Sequence, residues 1–538
     1  MIPLPKSSAV RPSLSLQSLI AYAFLGILIL VSAFAYISNI HLVVRQSDPA
    51  TYYYAGLRIA EVGSPSFCDG HNDIAGSYFT LLGFKVRQQD DGSCFYPNLN
   101  IGFPLLIAST RFLGPVPEMA PYVTPFIGLI GLIAVFVLGQ VLFDRPTGLL
   151  AAAFLAFNPV YWTMTTEMWS DVPAMTFLVL GIFFAVRMIK QDSVWLGFVG
   201  GALLGYACLI RYHSILALLP LGLYFWATTR GQAKPKRALV GFGCGLGLLV
   251  LAILAYHKLT YGGFLRTGYG TQQGEVPWPR FSLSYFYDES PIGEGGYRAI
   301  YSALAENFNI GGLLMAIGAV VVMHRAKALL VGGLAGVFCV FYSFYAWPTT
   351  GLNVRFLLPT FSMICLSLAF GIVYFIRLLL SQKEIVVLSM LPLIIVAWHA
   401  PSVRTTLLNL ERRNRYVETQ VALVKEFTQA TEPDAVFLSR EYHDLIILYG
   451  QRSALLYPML VTADNVSQRY QLSDYETRLV ETVDKLLEND VPVYVVVEPE
   501  GRSFLQGPID PYPILSRHFG LVPFRTEIEP VIYRVGWP

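Results

Sequence analysis

The chain has 538 residues, 54% of them hydrophobic and only 14% charged, where a soluble domain carries about 25% charged residues. Its 38 basic and 36 acidic side chains leave a net charge of +2, which excludes the concentrated basic surface that nucleic-acid binding needs. A mean hydropathy of +0.52, gathered into apolar runs near bilayer-spanning length, makes this a polytopic α-helical membrane protein.

Apolar runs cover 18–37, 121–142, 148–164, 171–188, 196–210, 213–229, 238–256, 309–323, 328–346, 354–378 and 385–399. These are about eleven expected spans, several shorter than the roughly 20 residues a perpendicular crossing prefers. The first run has the basic start and small-x-small site (Ala33, Phe34, Ala35) of a cleaved signal peptide. It continues through Ile37, longer than a signal core, so an uncleaved anchor is expected. With the amino terminus inside, the inner connections carry thirteen Lys and Arg against three Asp and Glu. Residues 39–120 carry five bases and seven acids, and 257–308 carry four and five. Because Lys and Arg are retained on the cytoplasmic side, 39–120, 257–308 and 401–538 are expected outside. The chain thus divides into a membrane domain, 1–400, and an extracytoplasmic domain, 401–538. The latter reads as a small α/β unit, with helices over 405–430 and 473–487 and strands over 435–439, 491–497 and 531–535.

Four of the six cysteines lie in apolar runs, where a thiol acts as a small core residue. Cys68 and Cys94 share the first external loop, and a disulfide between them is expected in an oxidising compartment. No Cys-x-x-Cys metal spacing occurs, and no cofactor is expected.

The chemistry-bearing residues lie where spans meet the outer face. Asp48, in Ser47-Asp48-Pro49, sits where the chain leaves the membrane. Partial desolvation there raises a carboxylate's pKa and makes it a better general base; an Asp before Pro is equally an ordinary helix start. Glu167 and Asp171 share a short external turn and would lie on one helical face. They read either as span caps or as functional acids, since acids at the lipid boundary are costly unless paired or functional. Arg211 and Arg355 stand at outer span ends, against the inside bias of Arg. They fit either snorkelling to headgroups or bidentate pairing with a phosphate, with Lys258 a weaker third candidate.

Taken in order, Asp48, Tyr96-Pro97 ahead of Gly102-Phe103-Pro104-Leu105-Leu106, Ser170-Asp171, Arg211 and Arg355-Phe356-Leu357-Leu358-Pro359 resemble the pattern of the GT-C glycosyltransferases. That superfamily includes protein O-mannosyltransferases and lipid A aminoarabinose transferases. Two features depart from the pattern. Pro49 stands where many members have a second acid, which puts metal assistance in doubt, and Asn98-Leu99-Asn100 follows Pro97 in place of a Pro-Pro-Gly-like segment. The resemblance implies transfer of a hexose or pentose from a polyprenyl-phosphate donor to a glycan, lipid or protein acceptor on the outer face, with inversion. It implies Asp48 as base, Arg211 and Arg355 on the donor phosphate with Lys258 helping, and Glu167, Asp171 and Tyr96 orienting substrate. The Gly-rich loop 257–308 is expected either to cover the donor or to serve as a connector. A lipid or solute transporter is the rival, but transporters place ionisable groups near the bilayer midplane and show paired halves. A non-catalytic membrane subunit is a third reading.

Overall fold

The computed structural model describes residues 16–44, 47–76, 78–87, 93–230, 235–268, 281–288, 295–347, 352–380, 384–439, 441–455, 472–497, 511–526 and 529–538. Each of the eleven apolar runs falls on a helix, but the helices are unequal. Seven are long and apolar enough to cross a bilayer: Leu16–Ser38, Val116–Leu142, Asp171–Gln191, Lys236–Tyr261, Gly296–Val322, Arg325–Tyr342 and Asn353–Leu379. Ile385–Ala400 and Ser402–Gln429, bent by 52° with Pro401 at the break, make an eighth if taken as one span.

The other three expected spans are shorter or broken. Run 148–164 divides into Arg145–Ala156 and Pro159–Thr165, because Asn158 caps the second helix by accepting the Val160 and Tyr161 N–H groups. Val194–Ile210 has 17 residues. Run 213–229 opens as a tight 3-10 turn, Tyr212–Ala217, before Leu218–Thr229.

A further correction concerns the second external loop. Helix Gly296–Val322 begins thirteen residues before the run expected at 309 and is broken at Asn309, whose φ is 49°. The Asn309 side chain accepts the Gly312 N–H at 2.8 Å and so starts the second half as a separate helix. The first half, expected as loop, is helical and buries Ile300, Ala303 and Phe308. Residues 269–280 and 289–294 of that loop lie outside the described residues.

Lipid offers no hydrophobic drive for helix association, so small residues must let backbones approach. Gly197 and Gly201 lie against Ala238 and Phe242, while Gly241 and Gly245 lie against Val194 and Phe198. A Cβ at any of the four would strike a carbonyl oxygen of the facing helix. Helix Asn353–Leu379 is the central element, with 89% of its apolar window buried, against 22% for Lys236–Tyr261 and for Gly296–Val322, which face lipid. Two of the three acids in the connections expected inside are explained locally. Asp144 accepts the Thr147 N–H as a helix cap and pairs with Arg377 at 2.6 Å, and Asp192 accepts the Ala238 N–H at 3.1 Å.

Outside the spans, the first loop forms helix Ser47–Val62 and a small antiparallel sheet of β1 (Phe67–Cys68), β3 (Cys94–Pro97) and β2 (Phe84–Arg87), in that order. Cys68 and Cys94 are joined by a disulfide across paired strand positions.

The tail carries β4 (Val436–Leu438), β5 (Ser453–Leu455), β6 (Val493–Val497), β7 (Gly520–Arg525) and β8 (Val531–Gly536), arranged β5-β4-β6-β8-β7. The first three strands are parallel and the last two antiparallel. Alternate residues face opposite layers: Val436, Leu438, Val493 and Val495 pack with helix Leu472–Glu488, and Phe437, Tyr494 and Ile532 with Val421, Val424 and Phe427. Strands β5 and β7 are additions to the three expected. First loop and tail touch directly: the Val44 N–H donates to Tyr449 at 2.7 Å, and the Ser453 hydroxyl to Asp69 at 2.7 Å.

Candidate active site

Four chain segments deliver charged side chains to one place at one end of the helices. Asp48 occupies the first turn of helix Ser47–Val62, and its Oδ2 accepts a hydrogen bond from Arg355 Nη2 at 2.9 Å, across 307 residues of sequence. Arg355 is supplied by the 3-10 turn Leu352–Leu357 that opens the central helix. Its Nε lies 3.5 Å from Asp171 Oδ2. Asp171 begins its own span, and the same oxygen accepts Arg211 Nη2 at 2.8 Å.

Arg211 closes helix Val194–Ile210 in extended backbone, φ −143° and ψ 111°, which turns the chain while its N–H still bonds Ala207. Its Nε donates to the Ser170 hydroxyl at 2.8 Å, which donates onward to Tyr52 at 2.9 Å. The result is an alternating row, Asp48, Arg355, Asp171 and Arg211, whose formal charges cancel.

Burial makes that balance necessary, because an unpaired charge in a dry site is costly. The side chains of Arg355 and Asp171 are 5% and 3% exposed, while Asp48, at 31%, is the open end. Aromatic faces complete the enclosure. The Trp169 ring centre lies 3.6 Å from the Arg355 guanidinium carbon, and Phe356 lies 5.1 Å from Arg355 and 5.3 Å from Arg211. Arg355 Nη1 has no hydrogen-bond partner among the described residues, so the guanidinium keeps a buried donor in reserve.

The expected residues divide under this geometry. Asp48, Asp171, Arg211 and Arg355 converge. Asp48 is 31% exposed and paired with a cation, and Asp171 directs its carboxylate to two guanidinia.

Glu167 turns away from Asp171. It receives Arg413 at 2.6 and 2.9 Å and the Trp169 indole N–H at 2.8 Å, with His41 Nε2 at 4.0 Å. Burial raises the Glu167 carboxyl above the usual carboxylate range, against the opposing pull of Arg413 and the indole. Burial and the Arg413 charge lower His41 to about 4, so it stands neutral at pH 7.

Lys258 is exposed and donates to the Gly262 carbonyl at the end of its own helix. Tyr96 lies in β3 in register with Val86. No hydrogen bond or ion pair among the described residues joins Lys258 or Tyr96 to the row. Arg413, Trp169, Tyr52 and Phe356 were missed. Arg413 is one of several charges in Glu411-Arg412-Arg413-Asn414-Arg415, with no periodic signal to set it apart, and the aromatics are a few among many in a chain that is 14% aromatic.

Compared with known proteins, residues 108–257 match the model of the dolichyl-phosphate-mannose-protein mannosyltransferase family, a segment that holds Glu167, Asp171 and Arg211. In shape the likeness covers nearly the whole chain. It is similar to ArnT from Cupriavidus metallidurans bound to undecaprenyl phosphate, with a TM-score of 0.64 at 12% identity, over 96% of this chain and 98% of that one. The chain has the GT-C fold. The same fold relates it to the Archaeoglobus fulgidus oligosaccharyltransferase in the apo form, with a TM-score of 0.57 at 12% identity over 95% of this chain and 74% of that one. It also matches that organism's oligosaccharyltransferase AglB in complex with an inhibitory peptide and a dolichol-phosphate, with a TM-score of 0.53 at 12% identity over the same shares. No curated protein matches the chain by sequence.

Proposed function

We propose that this chain is a membrane glycosyltransferase that moves a sugar from a polyprenyl-phosphate donor to an acceptor on the extracytoplasmic face, with inversion. The observation that carries the reading is the buried row Asp48, Arg355, Asp171 and Arg211 at the outer ends of the spans. Two of the structures that share the GT-C fold hold a polyprenyl-type lipid phosphate, which makes such a donor the natural occupant of paired guanidinia here.

Asp48 is the base. Its Oδ2 rests on Arg355, while its Oδ1 has no protein partner among the described residues. That oxygen takes the acceptor proton as the acceptor oxygen attacks the anomeric carbon opposite the leaving phosphate. Negative charge grows on the phosphate as the bond breaks. Arg355, with its reserve Nη1 donor, and Arg211 meet that charge with fixed dipoles and cations that need no reorganisation. Asp171 holds both guanidinia in place.

Residues 1–15 are cytoplasmic on this reading, the membrane is the plasma (inner) membrane, and the site and tail face an oxidising exterior, which the Cys68–Cys94 bond supports.

The test is sugar transfer in reconstituted liposomes from a mixed pool of labelled polyprenyl-phosphate sugars, with a membrane extract as acceptor source. Wild type should transfer, and Asp48→Asn should lose about 100-fold or more. An active wild type with an unimpaired variant makes Asp48 a helix cap. An inactive wild type that moves donor lipid between leaflets is a transporter.

A further inference from the structure

Helix Ser402–Gln429 joins the membrane domain to the tail. Its last turns give Val421, Val424 and Phe427 to the core that also holds Phe437, Tyr494 and Ile532. Eight residues before Val421, about 12 Å along a helix, Arg413 leaves it for the turn that precedes Asp171. There Nη2 donates to Glu167 Oε2 at 2.9 Å, and Nη1 lies 2.6 Å from Oε1 as an ion pair, so one charge-assisted hydrogen bond and one close cation hold the carboxylate. Glu167 Oε2 also accepts the Trp169 indole N–H at 2.8 Å, which sets the plane of the ring. That ring is the platform on which the Arg355 guanidinium lies at 3.6 Å. The Asn414 side chain adds a bond from the same helix to the Asn39 carbonyl.

We propose that Arg413 is a positioning residue for the transfer site: through Glu167 and Trp169 it fixes Arg355, so the seating of the C-terminal domain sets how the donor phosphate is held. This rests on the assignment of Arg355 to that phosphate. Among the described residues Arg413 contacts neither Asp48 nor Arg355, so it acts only through the chain of contacts. Glu167 is the vulnerable link, being 6% exposed with one permanent cation beside it. Without Arg413 the carboxylate must reorient or take up a proton, and the indole loses its fixed acceptor. Arg355 then keeps Asp48 and Asp171 on its edge but has a loose ring beneath it.

The experiment uses the full chain in nanodiscs, labelled with 5-fluorotryptophan, the Trp169 resonance being assigned by Trp169→Phe. Arg413→Met, Glu167→Gln, the double variant and Arg413→Lys are compared by that resonance and by binding of undecaprenyl phosphate. Arg413→Met should shift the resonance and weaken binding by about tenfold, in keeping with the sensitivity of such sites to small misplacements. The double variant should recover most of both, because an amide still accepts the indole N–H and no unpaired carboxylate stays buried. Arg413→Lys, which keeps the cation but not the guanidinium's second close contact, should fall between.

An unmoved Trp169 resonance in Arg413→Met overturns the proposal. So does a double variant no better than the single one, which makes Arg413 a fastener for its helix alone. If wild type binds no lipid phosphate while the resonance follows the cycle, the donor assignment falls and the relay to Arg355 stands.

Discussion

Replacing Asp171 by Asn separates the structural from the chemical share of the ion-pair row. Asp171 is 3% exposed and serves Arg211 at 2.8 Å and Arg355 at 3.5 Å. The substitution turns a neutral quartet into one of charge +1 and leaves Asp48 as the one carboxylate for two guanidinia. Removing one partner of a buried pair costs about 3–5 kcal/mol. An Asn oxygen can still accept the Arg211 bond, so the lower end, about 3 kcal/mol, applies. Asp48→Asn removes a carboxylate that is 31% exposed and leaves Arg355 beside Asp171, so solvent screening holds its cost to about 1 kcal/mol.

Both variants are assayed in the same nanodisc preparation, by chemical denaturation and by sugar transfer. The expected order inverts between the two readouts: Asp171→Asn is the less stable protein, and Asp48→Asn loses more activity than its stability explains. An Asp171→Asn protein within about 0.5 kcal/mol of wild type, the range of an ordinary surface change, would refute the reasoning. So would Asp48→Asn proving the less stable of the two.

Three more outcomes are expected. Gly102 packs so closely that a Cβ would meet the backbone at Leu209 and Ile210 within 2.8 Å; Gly102→Ala should push away the turn that carries Arg211, cost about 1–3 kcal/mol and lower transfer, and wild-type activity in that variant would contradict it. The disulfide closes a loop with a sequence separation of 26, worth about 3–4 kcal/mol of chain entropy. Paired Cys68→Ser and Cys94→Ser substitutions should therefore hasten proteolysis within 39–120, and unchanged cleavage rates would count against that figure. Burial raises Glu167 above its ordinary 4.5, so the unfolded chain loses this proton first. Its contribution to stability is present below pH 4.5 and is lost as pH climbs through the folded value. The stability of wild type minus that of Glu167→Gln should fall over this window, and a flat or rising difference would show that Arg413 outweighs burial.

Much of the membrane domain was legible because a bilayer admits only backbone that satisfies its own hydrogen bonds, so apolar run length reads almost directly as helix. All eleven runs are helical for that reason, and the asymmetry of Lys and Arg gives a consistent direction. The run lengths carried less about where helices break. Asn158 caps a new helix from within an apolar stretch, and Asn309, at the edge of a run, separates it from a helix in the more polar segment before it; a side-chain cap is a local competition that hydropathy does not register. In the tail, β4, β6 and β8 were visible as short apolar runs. Strand β5, Ser453–Leu455, has three residues and exists because β4 pairs with it, while β7 carries Pro523 and stands at the sheet edge, where a missing N–H is tolerated.

The site divides along the same line. Residue type and place on the outer side singled out Asp48, Asp171, Arg211 and Arg355, since charge at a lipid boundary demands a reason. Which acid meets which base was decided by packing alone. Glu167 and Asp171, four residues apart, part company because the turn between them is held by Trp169 and Ser170 rather than being a continuous helix, so one carboxylate faces Arg413 and the other Arg211. Lys258 was plausible by sequence neighbourhood, yet its helix ends with the ammonium turned to its own last carbonyls, where a cation also complements the helix dipole. Sequence determined that the chain is a bundle of membrane helices with charges gathered at one rim. Only the tertiary structure joined residues 307 positions apart into one neutral row, because electrostatic pairing acts through space and leaves no spacing signature along the chain.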